Sequence, residues 1–555
     1  MANFRTGDAV ILYPYKPDSE PDLRTSMAFR CSITEIGSHR IFLTLRFAQS
    51  SALPFRDHAG DKWAIEHDFM DSSFNALYKG LHDFLTAPAD RRDLLLLRRT
   101  PATEPSRKLA YNHGQFNAMA LKVKRARDLF LIIGPPGTGK TSFGLITTLK
   151  EQLADPDSSV LLVSYTNRAV DEICARLAEE DIDFMRIGSE LACEPVFRPF
   201  LIKEKVAACR NVAEVRAAIK GTRVFTGTVS SLNASINLLK LKRFDLAIID
   251  EASQILEPHL LPLLCAATAS GRPAVEKIVM IGDHKQLPAV VQQRPEESYV
   301  ADPALREAGI TDCRISLFER MLRRYGDNRD VTYMLTRQGR MHADIADFPN
   351  CSFYHGRLGI AGLSHQTLPP DTCAGTSVIE MAVAGYRIAF VDIREQYSIG
   401  DPDKTNNAEA EFITDLSREI TSREKDMDAM TLGIIVPYRN QIATIRRYLI
   451  SAGLPADLIT VDTVERFQGS QRKYIIYGFT VKRPLQLGFL TEHTFTDTDG
   501  ALIDRKLNVA ITRAREHMIL VGNAALLDNA PVFHNLIEYC RSKKAFYGQY
   551  STDRS

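Results

Sequence analysis

The 555-residue sequence has no paired cysteines, no long apolar run and no excess of charge of one sign. Its nine cysteines, at positions 31, 174, 193, 209, 265, 313, 351, 373 and 540, form no C-x-x-C pair. This scatter argues against zinc or an iron-sulfur cluster and suits core thiols in a reducing compartment. No stretch approaches the ~18 apolar residues that span a bilayer, and MANFRTGDAVILYPY lacks a basic region, an apolar segment and a cleavage site. A cytoplasmic protein that does not use a membrane is therefore expected. A formal charge of +1 excludes a broadly cationic surface, so any nucleic acid must be held in a local groove. Short-period repeats and low-complexity tracts are also missing.

The length leaves room for three or four domains of roughly 150 residues each. Residues 1–105 open with short alternating strands (DAVILYPY, FRCSITEIG, HRIFLTLRF) and end in FNALYKGLHDFL, which has helical spacing. They predict a β-rich, barrel-like accessory module with a helical stalk. From residue 106 the pattern changes to buried apolar runs alternating with helices: LFLIIG, VLLVSY, LAIIDEAS and KIVMIGD. A second series follows with RIAFVDI, LGIIVPY, LITVDT, YIIYGFT and HMILVGN. Continuous apolar strands of this kind belong to parallel sheets covered on both faces. The fold class is α/β, with two tandem RecA-like phosphate-loop domains at 106–335 and 336–555 and a helical insertion at about 189–222.

The segment DLFLIIGPPGTGKTSFGLITTL joins a strand to a helix through G-x-x-x-x-G-K-[ST]. Gly134 and Gly139 free the backbone to wrap phosphates, Lys140 suits the β- and γ-phosphates, and Thr141 suits Mg²⁺. About 110 residues on, RFDLAIIDEASQ ends an apolar run with Asp250 and Glu251. There one carboxylate can hold the metal's water shell and its neighbour can activate the attacking water. KIVMIGDHKQLPAV sets Gly282, Asp283 and Gln286 at the carboxyl edge of a strand, where α/β sheets bind ligands. Arg340 in LTRQGRMHADI, with Arg513 and Arg515 in RKLNVAITRARE, are candidate arginine fingers. Asp497, Asp499 and Gly500 resemble the start of a calcium loop but lack its third acid and its closing glutamate, so a polar turn is expected.

Taken together, Gln115, GPPGTGKT, YTNRAVDEI, DEASQ, GDHKQLPAV, QGRMH, IIVPYRNQ, VERFQGSQ and NVAITRAR follow an order that resembles superfamily 1 helicases of the 5′-to-3′ branch. That branch includes the replication helicase-nuclease and the nonsense-mediated-decay RNA helicase. The resemblance runs from about 106 to 525, and WAIEHDF extends it toward the replication enzyme, which favours DNA over RNA. It implies an ATP-dependent helicase using ATP and Mg²⁺ on single-stranded DNA or RNA. Gln115 would read the adenine edge. Gly134, Pro135, Gly137, Thr138, Gly139, Lys140 and Thr141 would hold the nucleotide, with Gln468, Gly469 and Gln471 contributing from the second domain. Thr141 and Asp250 would hold the metal, Glu251 would be the catalytic acid, and Gln286, Arg340 and Arg513 would complete the γ-phosphate shell. Thr166, Asn167, Thr228, Ser230, Pro437, Tyr438, Asp462 and Thr463 match motifs that line the single strand or couple it to ATP. As isolated residues the Thr, Ser and Asn positions read equally well as helix caps or turns.

Two positions depart from the family pattern. Gly339 stands where relatives carry a tyrosine that packs near the base, and Gln471 stands where they often carry glutamate close to the ribose. Weaker discrimination of base and sugar follows. No segment resembles the helicase-nuclease's nuclease half or the decay helicase's Cys/His-rich domain, so a nuclease is expected only as a separate partner. Two other readings stay open from the residues: a nucleic-acid-stimulated ATPase that clamps or remodels without unwinding, and a phosphate-loop kinase or small-molecule ATPase.

Overall fold

A computed structural model describes residues 4, 7–37, 39–47, 49–68, 73–105, 107–291, 293–369, 375, 377–394, 402 and 404–550. Phe69 of WAIEHDF and Cys373 lie outside the described residues. The alternating N-terminal segments form a four-stranded antiparallel sheet in the order Ile41–Leu45, Phe29–Ile36, Ala9–Tyr15, Lys62–His67. Alternation places Phe29, Cys31 and Ile33 on one face, where they pack with Val10, Phe55 and Trp63. FNALYKGLHDFL lies within the helix Ser73–Thr86.

The apolar runs form two larger sheets. The first orders seven strands as Thr332–Met334, Leu129–Ile133, Val275–Gly282, Phe244–Ile249, Val160–Ser164, Val224–Thr228, Met185–Ile187. Leu129–Ile133 pairs in parallel with Val275–Gly282 and with Thr332–Met334, and Met185–Ile187 pairs in parallel with Val224–Thr228. The second is parallel throughout: Thr460–Asp462, Leu432–Ile435, Arg472–Gly478, Ala514–Gly522, Ile388–Ile393, Phe546–Tyr550. Buried side chains fill both of its faces, as near-continuous apolar strands require. The C-terminal strand Phe546–Tyr550 was not among the predicted strands, because KKAFYGQY is too polar to stand out as a buried run.

By proximity the chain divides into two compact units, residues 1–88, 161–244 and 258–275, and residues 89–160, 245–257 and 276–555. In the first unit, 189–222 contains only short helices, the last being Val212–Gly221. The helix Ser73–Thr86 makes a close approach there at Gly80, whose missing side chain leaves room for the Pro262 ring. The eight described cysteines are free thiols. Among the described residues no helix is long and apolar enough to cross a membrane.

Candidate nucleotide site

All of the nucleotide-site candidates fall within the second unit. Register assembles them. Ile133 pairs with both Gly282 and Met334, so three strands end level at one carboxyl edge. The chain leaves this edge as the phosphate loop, the Asp283 turn and the 335–341 segment. Gly134 N donates to Gly282 O at 2.9 Å and Leu335 N donates to Ile133 O at 2.8 Å, which locks the three together.

The loop glycines serve different needs. Gly137 and Gly139 adopt φ of +74° and +76°, a left-handed conformation that side chains resist. A Cβ on Gly137 would lie 2.6 Å from Arg340 Cβ, and one on Gly134 would lie 2.1 Å from Lys140 Cγ. Thr138 is buried and its hydroxyl donates to Pro135 O at 2.7 Å. The helix then starts as a π-turn, Lys140–Leu145, before continuing as Ile146–Leu153.

Beside the loop, Thr141 Oγ1 donates to Asp250 Oδ2 at 2.6 Å, and Lys140 Nζ lies 3.7 Å from Glu251 Oε1. Asp250 is buried at the end of its strand, and desolvation followed by the Glu251 charge pushes its carboxyl above the ordinary range. A divalent cation held between this carboxyl and the Thr141 hydroxyl would offset that penalty and favour the charged form. Glu251 sits at φ +51°, a conformation seldom held without a function, and is steadied by Gln254 Nε2 at 3.0 Å.

From the other side, Gly339 N donates to Gly137 O at 2.9 Å, which brings Arg340 against the loop. Arg340 Nε donates to Gln471 Oε1 at 2.9 Å. The glutamine that departs from the family pattern thus still accepts from the arginine, as a neutral partner. Gln468 Nε2 is a buried donor without a hydrogen-bond acceptor, an orphan of the kind a phosphate oxygen satisfies. Gly469 next to it holds φ +77°. Arg513 is buried and donates to Val509 O, Ser470 O and, at 3.3 Å, Gln286 Oε1. Gln286 Nε2 in turn donates to Asp283 Oδ2 at 2.8 Å.

Several contributors lie outside the recognised motifs. Tyr354 Oη donates to Asp283 at 2.6 Å and accepts from Asn508 Nδ2 at 2.8 Å, so a buried relay runs from Tyr354 through Asp283 and Gln286 to Arg513. Arg337 Nη1 donates to Gln115 Oε1 at 3.3 Å. Glu151, on the helix after the loop, accepts from the backbone N–H groups of Ala110 and Tyr111, from Lys124, and bonds the His113 ring. It ties the Gln115 segment to the phosphate-loop helix. Burial opposes its charge, but Lys124 and these N–H groups outweigh that and hold Glu151 down at about 2. A carboxylate lowered from about 4.3 contributes stability that is complete above that value and is lost as pH falls through about 2. Glu151→Gln is therefore expected to cost about 3 kcal/mol at pH 7, and the gap to the parent protein should shrink by about half at pH 3. Denaturant titration of both proteins across that range measures it, and a pH-independent gap would contradict the assignment.

The candidates for strand contact divide between the units. In the first, Thr166 Oγ1 caps the helix that begins at Asn167, and Thr228 Oγ1 caps the helix that contains Ser230. In the second, Pro437 and Tyr438 lead into the helix Arg439–Ser451, and Tyr438 stacks on Phe489 at 5.1 Å. Asp462 accepts from Thr463 N at 2.9 Å where the strand Thr460–Asp462 ends. Asp497, in the polar turn, accepts from Lys285 Nζ at 2.6 Å and bonds His355 at 2.9 Å, so an ammonium already occupies its cation position.

Parallel sheets with a phosphate loop at a carboxyl edge define a phosphate-loop NTPase with RecA-like sheets. Residues 110–220 and 202–294 match one family model described as an AAA domain, and residues 313–525 match a second with the same description. The DNA replication ATP-dependent helicase/nuclease JHS1 of Arabidopsis thaliana is 31% identical over 77% of this chain and 29% of its own length. The DNA polymerase alpha-associated DNA helicase A of Schizosaccharomyces pombe is 28% identical over 78% of this chain and 67% of its own. A solved Arterivirus nonstructural protein 10 (helicase) with DNA is 14% identical, with a TM-score of 0.35 over 73% of this chain and 61% of its own. The chain belongs to superfamily 1 of the helicases and carries its ATP-dependent helicase core. It spans 29% to 39% of the length of the first helicase/nucleases it matches.

Proposed function

We propose that the chain hydrolyses ATP in order to move along single-stranded nucleic acid and separate strands, on DNA in preference to RNA and in the 5′-to-3′ direction. The observation that carries this reading is the approach of Arg340 to Gly137 beside the Thr141–Asp250 and Lys140–Glu251 pairs. Phosphate-binding and arginine-bearing segments meet at one strand edge, as a motor that closes on its nucleotide requires. Thr141 and Asp250 would hold Mg²⁺, which supplies charge neutralisation between the phosphates. Lys140 holds the β- and γ-phosphates, Gln286 senses the γ-phosphate through its link to Arg513, and Glu251 takes the proton of the attacking water. Arg340 and Arg513 neutralise charge on the equatorial oxygens. Loss of the γ-phosphate removes the anion that joins these groups, and the arginine segment is freed to part from the loop.

On the functional side we keep an accessory module at 1–105 and motor domains at 106–335 and 336–555. Thr166, Asn167, Thr228, Ser230, Pro437, Tyr438, Asp462 and Thr463 are the proposed strand contacts, chiefly to phosphates and stacked bases. DNA preference rests on the replication helicase/nucleases among the relatives, and polarity on the motif series that resembles the 5′-to-3′ branch. ATP hydrolysis with no polymer, with single-stranded DNA and with single-stranded RNA, all at one salt concentration, tests the track. The expected result is at least about tenfold stimulation by DNA. Displacement of a strand from 5′-tailed but not 3′-tailed duplexes would then support unwinding and its direction. Hydrolysis without strand release would instead identify a clamp, and indifference to both polymers would remove nucleic acid from the function.

A further inference from the structure

We propose that Phe143, backed by Phe116, is the platform on which the nucleotide base stacks, so that base selection here rests on ring area more than on hydrogen bonds. This rests on the ATP-binding reading above and adds a residue to it. Phe143 follows Thr141 by two positions, inside the π-turn where Gly139 O accepts from both Phe143 N at 2.8 Å and Gly144 N at 3.0 Å. The turn folds the ring back over the phosphate loop, where a Cβ on Gly139 would come within 2.4 Å of its edge. The next residues on the same helix, Gly144, Leu145 and Ile146, are buried, yet Phe143 is 53% exposed. A large apolar ring held in solvent at the mouth of a phosphate loop is costly unless a ligand covers it.

The ring is also braced. Phe116 stacks on it at 5.2 Å with 14° between the planes, and Phe116 is the neighbour of Gln115. Gln115 directs its carboxamide oxygen to Arg337, which leaves the NH₂ group as its free end. A donor alone recognises a ring acceptor that adenine and guanine share, and it does not distinguish the exocyclic groups in which they differ. Gly339 cannot supply a competing platform. It has no side chain, and a Cβ there would lie 3.3 Å from Leu363 Cδ1 and 3.7 Å from Ala361 Cβ. The aromatic surface for the base therefore comes from the loop helix, and ATP and GTP are expected to be used about equally, with CTP poorer.

Steady-state hydrolysis of ATP, GTP and CTP by the full chain tests this in Phe143→Ala, Phe143→Leu and Phe143→Tyr, with inorganic tripolyphosphate as a competitor without a base. Phe143→Ala and Phe143→Leu should each raise KM for ATP and GTP about tenfold, with kcat nearly unchanged. The inhibition constant of tripolyphosphate should stay the same, and Phe143→Tyr should restore the parental KM. An unchanged KM in the alanine and leucine variants overturns the proposal. So does an equal loss of tripolyphosphate affinity, because that would mean the ring shapes the phosphate loop. Parental turnover that survives Lys140→Ala overturns the ATP-site reading instead, and is recognisable because it needs no Phe143 variant.

Discussion

Lys140→Ala is expected to lower kcat/KM for ATP by at least about 100-fold while the protein melts as the parent does. The lysine stem lies over Gly134 and its ammonium faces Glu251 at 3.7 Å, so a cation held beside the loop is lost. The fold has little stake in the change, because the side chain is polar and partly exposed and its stem rests on a loop glycine beyond the end of the strand Leu129–Ile133. Glu251→Gln separates the steps. It keeps the shape and the contact with Gln254 but cannot take a proton, so nucleotide binding should persist while turnover falls by a similar factor. Phosphate release under single-turnover conditions, with nucleotide binding followed by equilibrium titration, distinguishes the two. Full turnover by Lys140→Ala would remove the nucleotide site from this position altogether.

Much of this site was legible in the sequence because its parts are local. A phosphate loop needs its glycines, lysine and threonine within eight residues, and an acid pair needs only the end of one apolar strand. The same holds for the central strands of the two sheets, which stood out as apolar runs, but not for Met185–Ile187, Val224–Thr228, Thr332–Met334 and Phe546–Tyr550. What pattern reading missed depends on contacts between distant segments. Glu151 looks like an ordinary helix-surface acid until the chain folds 40 residues of intervening sequence back to present two backbone N–H groups to it. Tyr354 gave no signal either, since its partners Asp283 and Asn508 lie 71 and 154 positions away. Gln471 shows the converse. From sequence its departure suggested a weakened sugar contact, whereas in the fold the amide oxygen is taken by Arg340. The strand candidates Thr166 and Thr228 are helix caps in the fold, and pattern alone does not tell a cap from a strand contact.

Arg340→Ala and Arg513→Ala are each expected to reduce kcat about 1,000-fold, with KM for ATP moved far less, but for different physical reasons. Arg340 lies against Gly137 with its Nε on the neutral Gln471 and an Nη1 on Thr512 O, which hold the guanidinium beside the loop where a transferring phosphoryl group would sit. Its loss removes that charge together with two part-buried hydrogen bonds, so the protein should melt only slightly below the parental temperature. Arg513 is buried and joins Ser470, Val509 and Gln286, so truncation takes a donor from each and loosens the Gln286 amide from its relay to Asp283. That variant should also lose about 2–3 kcal/mol of stability. Arg513→Lys keeps the charge but cannot reach three acceptors with a fixed fork, so it should recover stability only in part and turnover hardly at all. If the two arginines act as one interdependent unit, the double variant should be little slower than the worse single variant. Fully multiplicative losses would mean that the two stabilise the transition state independently, and an Arg340→Ala protein with parental kcat would exclude the arginine from phosphoryl transfer.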